Sequence, residues 1–155
     1  MIAVVGLGGA GGCIIKMLRA KADVYFVSKE NWLNCKNFYT FEQVSDLVKK
    51  ISKHRHVILA AGLGSSGGEL LVHLATKLSN VDSIFVAKPF KIEKERYKKA
   101  EKQLSMIKEF RVFVKELDEL MKSEKFRNFK LSEALRIFDQ EIAEAISKRI
   151  KELLG

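Results

Sequence analysis

The chain has 155 residues, 47% of them hydrophobic and 30% charged, with a formal net charge of +9 at pH 7. That length points to a single domain with its own core, and the two cysteines, Cys13 and Cys35, are too few for a disulfide framework and fit a reducing compartment. The chain enters an apolar run at once without a basic leader, and no stretch reaches the roughly 20 apolar residues of a membrane span, so the expectation is a cytoplasmic protein without membrane contact.

In chain order, residues 2–5 read as a strand. A glycine loop, Gly6 to Gly12, follows it and leads into a helix over 10–20. Residues 24–27 form a second strand and 41–54 a second helix. A third strand, 57–61, runs into a second glycine loop, Gly62 to Gly68, and a helix over 67–78. Strand 84–87, helix 93–108, strand 112–114 and a short helix near 117–123 come next. The last helix, 131–154, has one apolar face from Leu131, Leu135, Phe138, Ile142, Ile146 and Ile150, and a polar face from Glu133, Arg136, Gln140, Glu144 and Lys148. Ser132 is expected to cap its start and Gly155 follows its end. Short apolar runs alternating with amphipathic helices predict an α/β fold. It is a doubly wound, mostly parallel Rossmann-like sheet with helices on both faces, a single domain over residues 1–155.

The two loops carry the chemistry. A glycine loop between a strand and a helix start presents backbone N–H groups that attract phosphate. Gly6-Leu-Gly-Gly-Ala-Gly11 satisfies G-x-G-x-x-G, and Glu30 lies where a dinucleotide fold places its ribose acid, so an NAD(P)-binding Rossmann protein is one reading. The second loop argues against it, because an ordinary NAD domain needs no further glycine turn after its next strand. Gly64, Ser65, Ser66, Gly67 and Gly68 form neither a Walker loop nor a nucleophile elbow. The two serine hydroxyls are candidates to supplement backbone donors to phosphate. Each loop also admits a plainer reading as a tight, non-binding turn.

Taken together these residues resemble the FtsZ/tubulin superfamily, on the FtsZ side, over nearly the whole chain. The opening IAVVGLGGAGGCIIKML resembles the FtsZ start, a strand leading into a run of five glycines and an asparagine. Gly8, Gly9, Ala10, Gly11 and Gly12 fall on that run and Cys13 on the asparagine. Gly64, Ser65, Ser66, Gly67 and Gly68 fall on the first five positions of the GGGTGTG signature, with Glu69 and Leu70 on the last two. Lys88-Pro89-Phe90 matches the strand end T-K-P-F-x-F-E-G, which places Glu93 on its ribose-contacting glutamate. LSEALRIFDQEI resembles the start of the family's central helix. Asp139 falls on the residue that reads the guanine edge, and Leu135 replaces a phenylalanine that packs on the base.

The resemblance implies an FtsZ/tubulin N-terminal-domain-like module that binds GTP or GDP, with Mg2+ as a further candidate. Backbone N–H groups of Gly9 to Gly12 and of Ser66 to Gly68 would hold the phosphates. Departures accompany it. Gly67 takes the signature threonine position, and Tyr97 stands in place of an arginine beside the ribose, with Arg96 next to it. The connection after the second strand is cut to residues 28–40. The chain stops at Gly155 within the central helix, short of the loop that positions the attacking water. The expectation is therefore little or no intrinsic GTP hydrolysis, with any activity weak or partner-dependent and a link to filament or cell-division regulation. Partners would be a guanine nucleotide and a homo-oligomer or an FtsZ-like protein. The alternative is an interaction module that binds no nucleotide and docks on such a partner.

Residues 88–102 carry seven Lys/Arg against three Glu, read as a solvated basic face, and without interleaved aromatics a nucleic-acid partner is not expected. His54, His56 and His73 have no evident carboxylate or cysteine partner, so no metal is expected. Trp32, Phe38, Tyr39 and Phe41 form an aromatic cluster read as core packing, with a surface closing over a ligand or a partner as the other reading.

Overall fold

The computed structural model describes residues 1–124 and 127–155. Its strands are β1 (Ile2–Leu7), β2 (Asp23–Val27), β3 (Phe38–Tyr39), β4 (His56–Gly62), β5 (Val81–Lys88) and β6 (Val112–Glu116). They form one sheet in the order β3-β2-β1-β4-β5-β6, and every neighbouring pair is parallel. The helices are α1 (Gly8–Ile15), α2 (Val44–Ile51), α3 (Ser66–Lys77), α4 (Lys94–Ser105), α5 (Glu119–Lys122) and α6 (Leu131–Leu154). The expected doubly wound α/β sheet is present.

A central parallel strand is covered on both faces, so it is apolar throughout. β1 is buried at every position. Its Ala3, Val5 and Leu7 face α2, α3 and α4, where they meet Leu47, Leu71, Leu74 and Ala100. Ile2 and Val4 face α1 and α6, where they meet Ile14, Phe138, Ile142 and Ile146. β4 divides in the same way, with Val57, Leu59 and Ala61 on one side and Ile58 and Ala60 on the other. The chain leaves β1 toward β2 and leaves β4 toward β5, so strand order reverses between these neighbours. Their carboxyl ends bound the crevice where open α/β sheets hold ligands. Both glycine loops start there.

Several boundaries differ from expectation. α1 begins at Gly8 rather than residue 10, because the glycine run itself forms its first turn, and it ends at Ile15 rather than 20. The second helix starts as a short 3-10 turn, Phe41–Gln43, behind a Thr40 capping box. β3 was not anticipated. Its two residues point to opposite faces and split the aromatic cluster: Phe38 packs beside α1 and α6, while Tyr39 and Phe41 pack beside α2. Ser132 does not cap α6. Lys130 occupies the cap position without a side-chain bond, and Gly155 N–H closes the other end on Lys151 O at 3.0 Å. His54 does have a carboxylate partner, contrary to expectation. Its Nε2 lies 2.8 Å from Asp23 Oδ2, and its buried ring meets Tyr25 edge-on.

α6 covers the sheet with one face, and an ion pair ties its C-terminal half to β5. Arg149 donates from Nε and Nη2 to Asp82 Oδ2 and Oδ1, each at 2.9 Å, in the bidentate geometry that favours arginine. The Arg149 hydrogen bonds hold the Asp82 carboxyl below its ordinary range, against an opposing push from burial. A carboxyl lowered in the folded state contributes stability above its ordinary pKa, and that contribution disappears as pH falls through the folded value. Arg149→Met is expected to lower the melting temperature at pH 7, and the deficit relative to wild type is expected to narrow in acid below the usual aspartate range. Thermal melts at a series of pH values check both statements.

Candidate functional site

At the carboxyl edge of the sheet the two loops touch. Gly8 has φ +74°, and a Cβ built on it would lie 3.3 Å from Gly67 Cα. A Cβ on Gly67 would lie 2.7 Å from Leu7 O and 3.1 Å from Leu7 C, all backbone. One residue pair away, a Cβ on Gly62 would meet the Ala10 methyl at 2.8 Å. The substitution of alanine in the first glycine run is thus accommodated by a glycine in the second. Gly67 is fixed by close approach of two backbones, which no side chain can share. Its identity is a steric requirement as well as the absence of a hydroxyl.

The loops differ in what they leave available. In α1 the first-turn N–H groups have no intrahelical partner, and Leu7 at the N-cap supplies no side-chain acceptor. Gly9 and Ala10 are exposed there. The second loop is largely satisfied from within. Ser65 caps α3, accepting from Gly68 N–H at 3.3 Å while its hydroxyl donates to Gly62 O at 2.7 Å. Buried Gln103 of α4 accepts from Gly64 N–H at 2.7 Å and donates to Ser65 O at 3.4 Å. Gly64, at φ +82°, packs against the backbone of Arg96. Of the expected phosphate donors here, Ser65 hydroxyl and Gly68 N–H thus have partners within the loop. The N–H groups of Ser66 and Gly67 and the exposed Ser66 hydroxyl remain.

Glu93 lies beside the second loop. Its Oε2 accepts from Phe90 N–H at 3.3 Å, and its Oε1 pairs with Arg96 Nη1 at 3.3 Å. Tyr97 turns its hydroxyl away from the loops, accepting from Lys88 Nζ at 3.0 Å and bonding Glu116 Oε1 at 3.3 Å. Lys88 is buried and sits over the Tyr97 ring, so it does not belong to the exposed basic face. Lys99 is paired with Glu69, while Lys94, Lys98 and Lys102 of α4 have no ion pair among the described residues.

On the other side of the crevice α6 brings Asp139 against α1. Asp139 is half-buried, and burial pushes its carboxyl up to about 6, opposed only by the charge of Lys16. No hydrogen bond among the described residues offsets that burial. Cys13 adjoins it: burial first, then the Asp139 charge, raise the thiol, and Lys16 opposes them. Cys13 is thus a protonated, small residue here rather than a nucleophile. A cavity of about 340 Å³ lined by Lys16, Arg136 and Gln140 opens beside this group. The expected site residues thereby fall into two sets, one around the second loop with Glu93 and one around α1 with Cys13 and Asp139. Gln103 was missed because a glutamine inside a lysine-rich helix carries no local signal of a bond 39 residues away. No group of three His, Cys, Asp or Glu among the described residues forms a metal site, and no helix among them is long and apolar enough to cross a membrane.

No protein-family model matches the chain. The chain is 33% identical to a protein of Archaeoglobus fulgidus described only as uncharacterised, over 161 aligned positions that cover 98% of this chain and 95% of that one. The solved structure titled as an empty FtsZ dimer from M. jannaschii superposes with a TM-score of 0.76 at 20% identity, covering 94% of this chain. The chain spans about half of that FtsZ chain, 53% of its length. The fold is thus FtsZ/tubulin-like.

Two outcomes are expected from this geometry. Gly67→Thr is expected to destabilise by about 1–3 kcal/mol through overpacking against Leu7 and Gly8. It is not expected to create a phosphate site, and chemical denaturation measures the loss. For Asp139, a raised carboxyl pKa means that the protein loses stability as pH rises from the ordinary aspartate range through about 6. Asp139→Asn is expected to be more stable than wild type at pH 7, by about 1–2 kcal/mol after allowance for partial exposure, with the difference vanishing near pH 4.

Proposed function

The chain belongs to the family of the Archaeoglobus fulgidus protein, on an FtsZ-like fold, and from that premise we propose that it is a guanine-nucleotide-binding module. The observation that carries this reading is Asp139. A half-buried carboxylate without a hydrogen bond is costly, and such groups are retained where a ligand completes them. Guanine offers two adjacent N–H donors on one edge, which a carboxylate accepts side by side. Asp139 adjoins Cys13 in the second turn of α1, while the first turn of the same helix presents its uncapped N–H groups. One short helix therefore offers a phosphate end and a base end to one molecule. Ser66 and Gly67 N–H groups would supplement the phosphate contacts, and Glu93, once released from Arg96, would reach the ribose. A Mg2+ ion would arrive with the phosphates, since the described residues form no metal site of their own.

Hydrolysis by the chain is proposed to be slow. Phosphoryl transfer depends on positioned donors and a positioned water. Here Ser65, Gly68 and Gln103 spend their polar groups inside the second loop, and Gly67 brings no hydroxyl. That internal satisfaction also favours the second reading, a module that binds no nucleotide and docks on a second copy or on an FtsZ-like partner. An NAD(P) site has less support, since Glu30 is exposed and the loop after β4 has no part in such a site.

GDP at about 100 times its dissociation constant is expected to raise the melting temperature by about 5–10 °C, while ATP and NAD do not. Asp139→Asn is expected to weaken GDP binding about 10- to 100-fold. Because the base requires the ionised carboxylate, wild-type affinity should fall about 10-fold between pH 7 and pH 5, and the Asn variant should lose that dependence. Absence of any shift at millimolar GDP leaves the docking module. Phosphate release at the rate of a filament-forming FtsZ would overturn the claim of slow hydrolysis.

A further inference from the structure

The aromatic cluster of the connection after β2 is not all core. Phe38, Tyr39 and Phe41 pack into the two layers, but Trp32 is 48% exposed. It is nevertheless held in place. Its ring meets the buried Phe26 ring edge-on, with centroids 5.4 Å apart and planes at 85°. It also lies directly on α1 at Gly12, where a Cβ would come within 2.7 Å of Trp32 Cζ2. Lys16, one turn further along α1, reaches over the indole with Nζ 6.0 Å from the centroid. The same Lys16 is the cation nearest Asp139 in its electrostatic effect. The indole and the carboxylate thus share one lysine and flank one turn of α1.

We infer that Trp32 is the stacking wall for the base of the bound nucleotide, an inference that rests on the guanine-nucleotide reading above. A purine needs two things from a site: polar partners along its edge and a flat apolar surface on its face. Asp139 supplies the first. Leu135, one turn before Asp139 on α6, is aliphatic and packs into the core. Trp32 supplies a π-surface, and its ring is already held by the perpendicular contact with Phe26, so little freedom is lost when a base settles on it. The position of Gly12 is what admits the ring so close to the helix. Any side chain there would lift the indole away from the turn that carries Cys13. Lys16 lies over the indole and within electrostatic reach of Asp139, and a base settling on the ring would displace it toward the cavity that it lines with Arg136 and Gln140.

Trp32 is the sole tryptophan of the chain, so its emission reports on this contact alone. GDP titrated into the 155-residue chain should quench or shift that emission saturably, with the midpoint found by calorimetry, and should shield the indole from iodide. Trp32→Ala should weaken GDP binding roughly 10-fold by calorimetry, and Trp32→Phe should restore most of the affinity. Circular dichroism checks that the variants are folded; if Trp32→Ala is not, wild-type emission and iodide shielding together with Trp32→Phe decide. If calorimetry shows GDP binding while emission, iodide access and the affinity of both variants stay unchanged, the stacking role is overturned and the nucleotide reading stands. If calorimetry shows no GDP binding to wild type, both are overturned.

Discussion

The arrangement at the carboxyl edge of the sheet depends on the direct contact between the loops that follow β1 and β4. Neighbouring strands lie about 4.8 Å apart, so two chains leaving them side by side collide unless side chains are absent at the point of exit. Gly8 meets Gly67, and Gly62 meets the methyl of Ala10. With those contacts in place, α1 and α3 both begin at the same spot on the sheet. Their N-terminal dipole ends converge there, which concentrates partial positive charge from backbone alone. Space taken by a Cβ at position 67 would push the helix starts apart and dissolve that convergence.

The convergence is asymmetric. Ser65 and Gln103 take up two donors of the second loop, the N–H groups of Gly68 and Gly64, and the Arg96 backbone supports its turn at Gly64. α4 therefore serves as a brace: a surface helix rich in lysine that inserts one buried glutamine into the loop. Among the described residues nothing comparable braces the first loop, whose helix start has no side-chain cap. A rigid half and an open half suit a site in which one loop acts as a wall and the other offers the contacts. On the α1 and α6 side, Asp139 is half-buried without a hydrogen bond among the described residues.

Much of the fold was legible because the physics that shapes it is local. A strand covered on both faces must be apolar throughout, and Ile2 to Leu7 and Val57 to Ala61 are. The glycine loops and the apolar stripe of α6 were readable for the same reason. What escaped depends on residues far apart in sequence. The bond from Gln103 to Gly64, the pair of His54 with Asp23 across 31 residues, and the seat of Trp32 on Gly12 have no periodicity to announce them. Ser65 looked like a phosphate donor because a serine in a glycine loop serves equally as an N-cap, and only the observed bonds separate the two roles. Gly67 looked like a lost hydroxyl, since sequence shows which side chain is absent but not what fills its place.

The charges near the crevice bear on how a ligand would be chosen. A net charge of +9 draws anions of every kind toward the protein without distinguishing them. Yet the cations nearest the loops are engaged, Arg96 with Glu93 and Lys99 with Glu69, while Lys16 sits by Asp139 and Trp32. Phosphate would then be held mainly by neutral backbone donors, which accept any phosphate of suitable shape. On the proposed reading, discrimination between nucleotides would arise at the other end of α1, where the Asp139 carboxylate would read the hydrogen-bonding edge and the Trp32 indole the face. A carboxylate rejects a base edge that offers acceptors in place of donors, because both partners are then left unpaired in a half-buried setting. On that reading Asp139 would couple two properties: the burial that raises its pKa would also make its match to a donor edge selective.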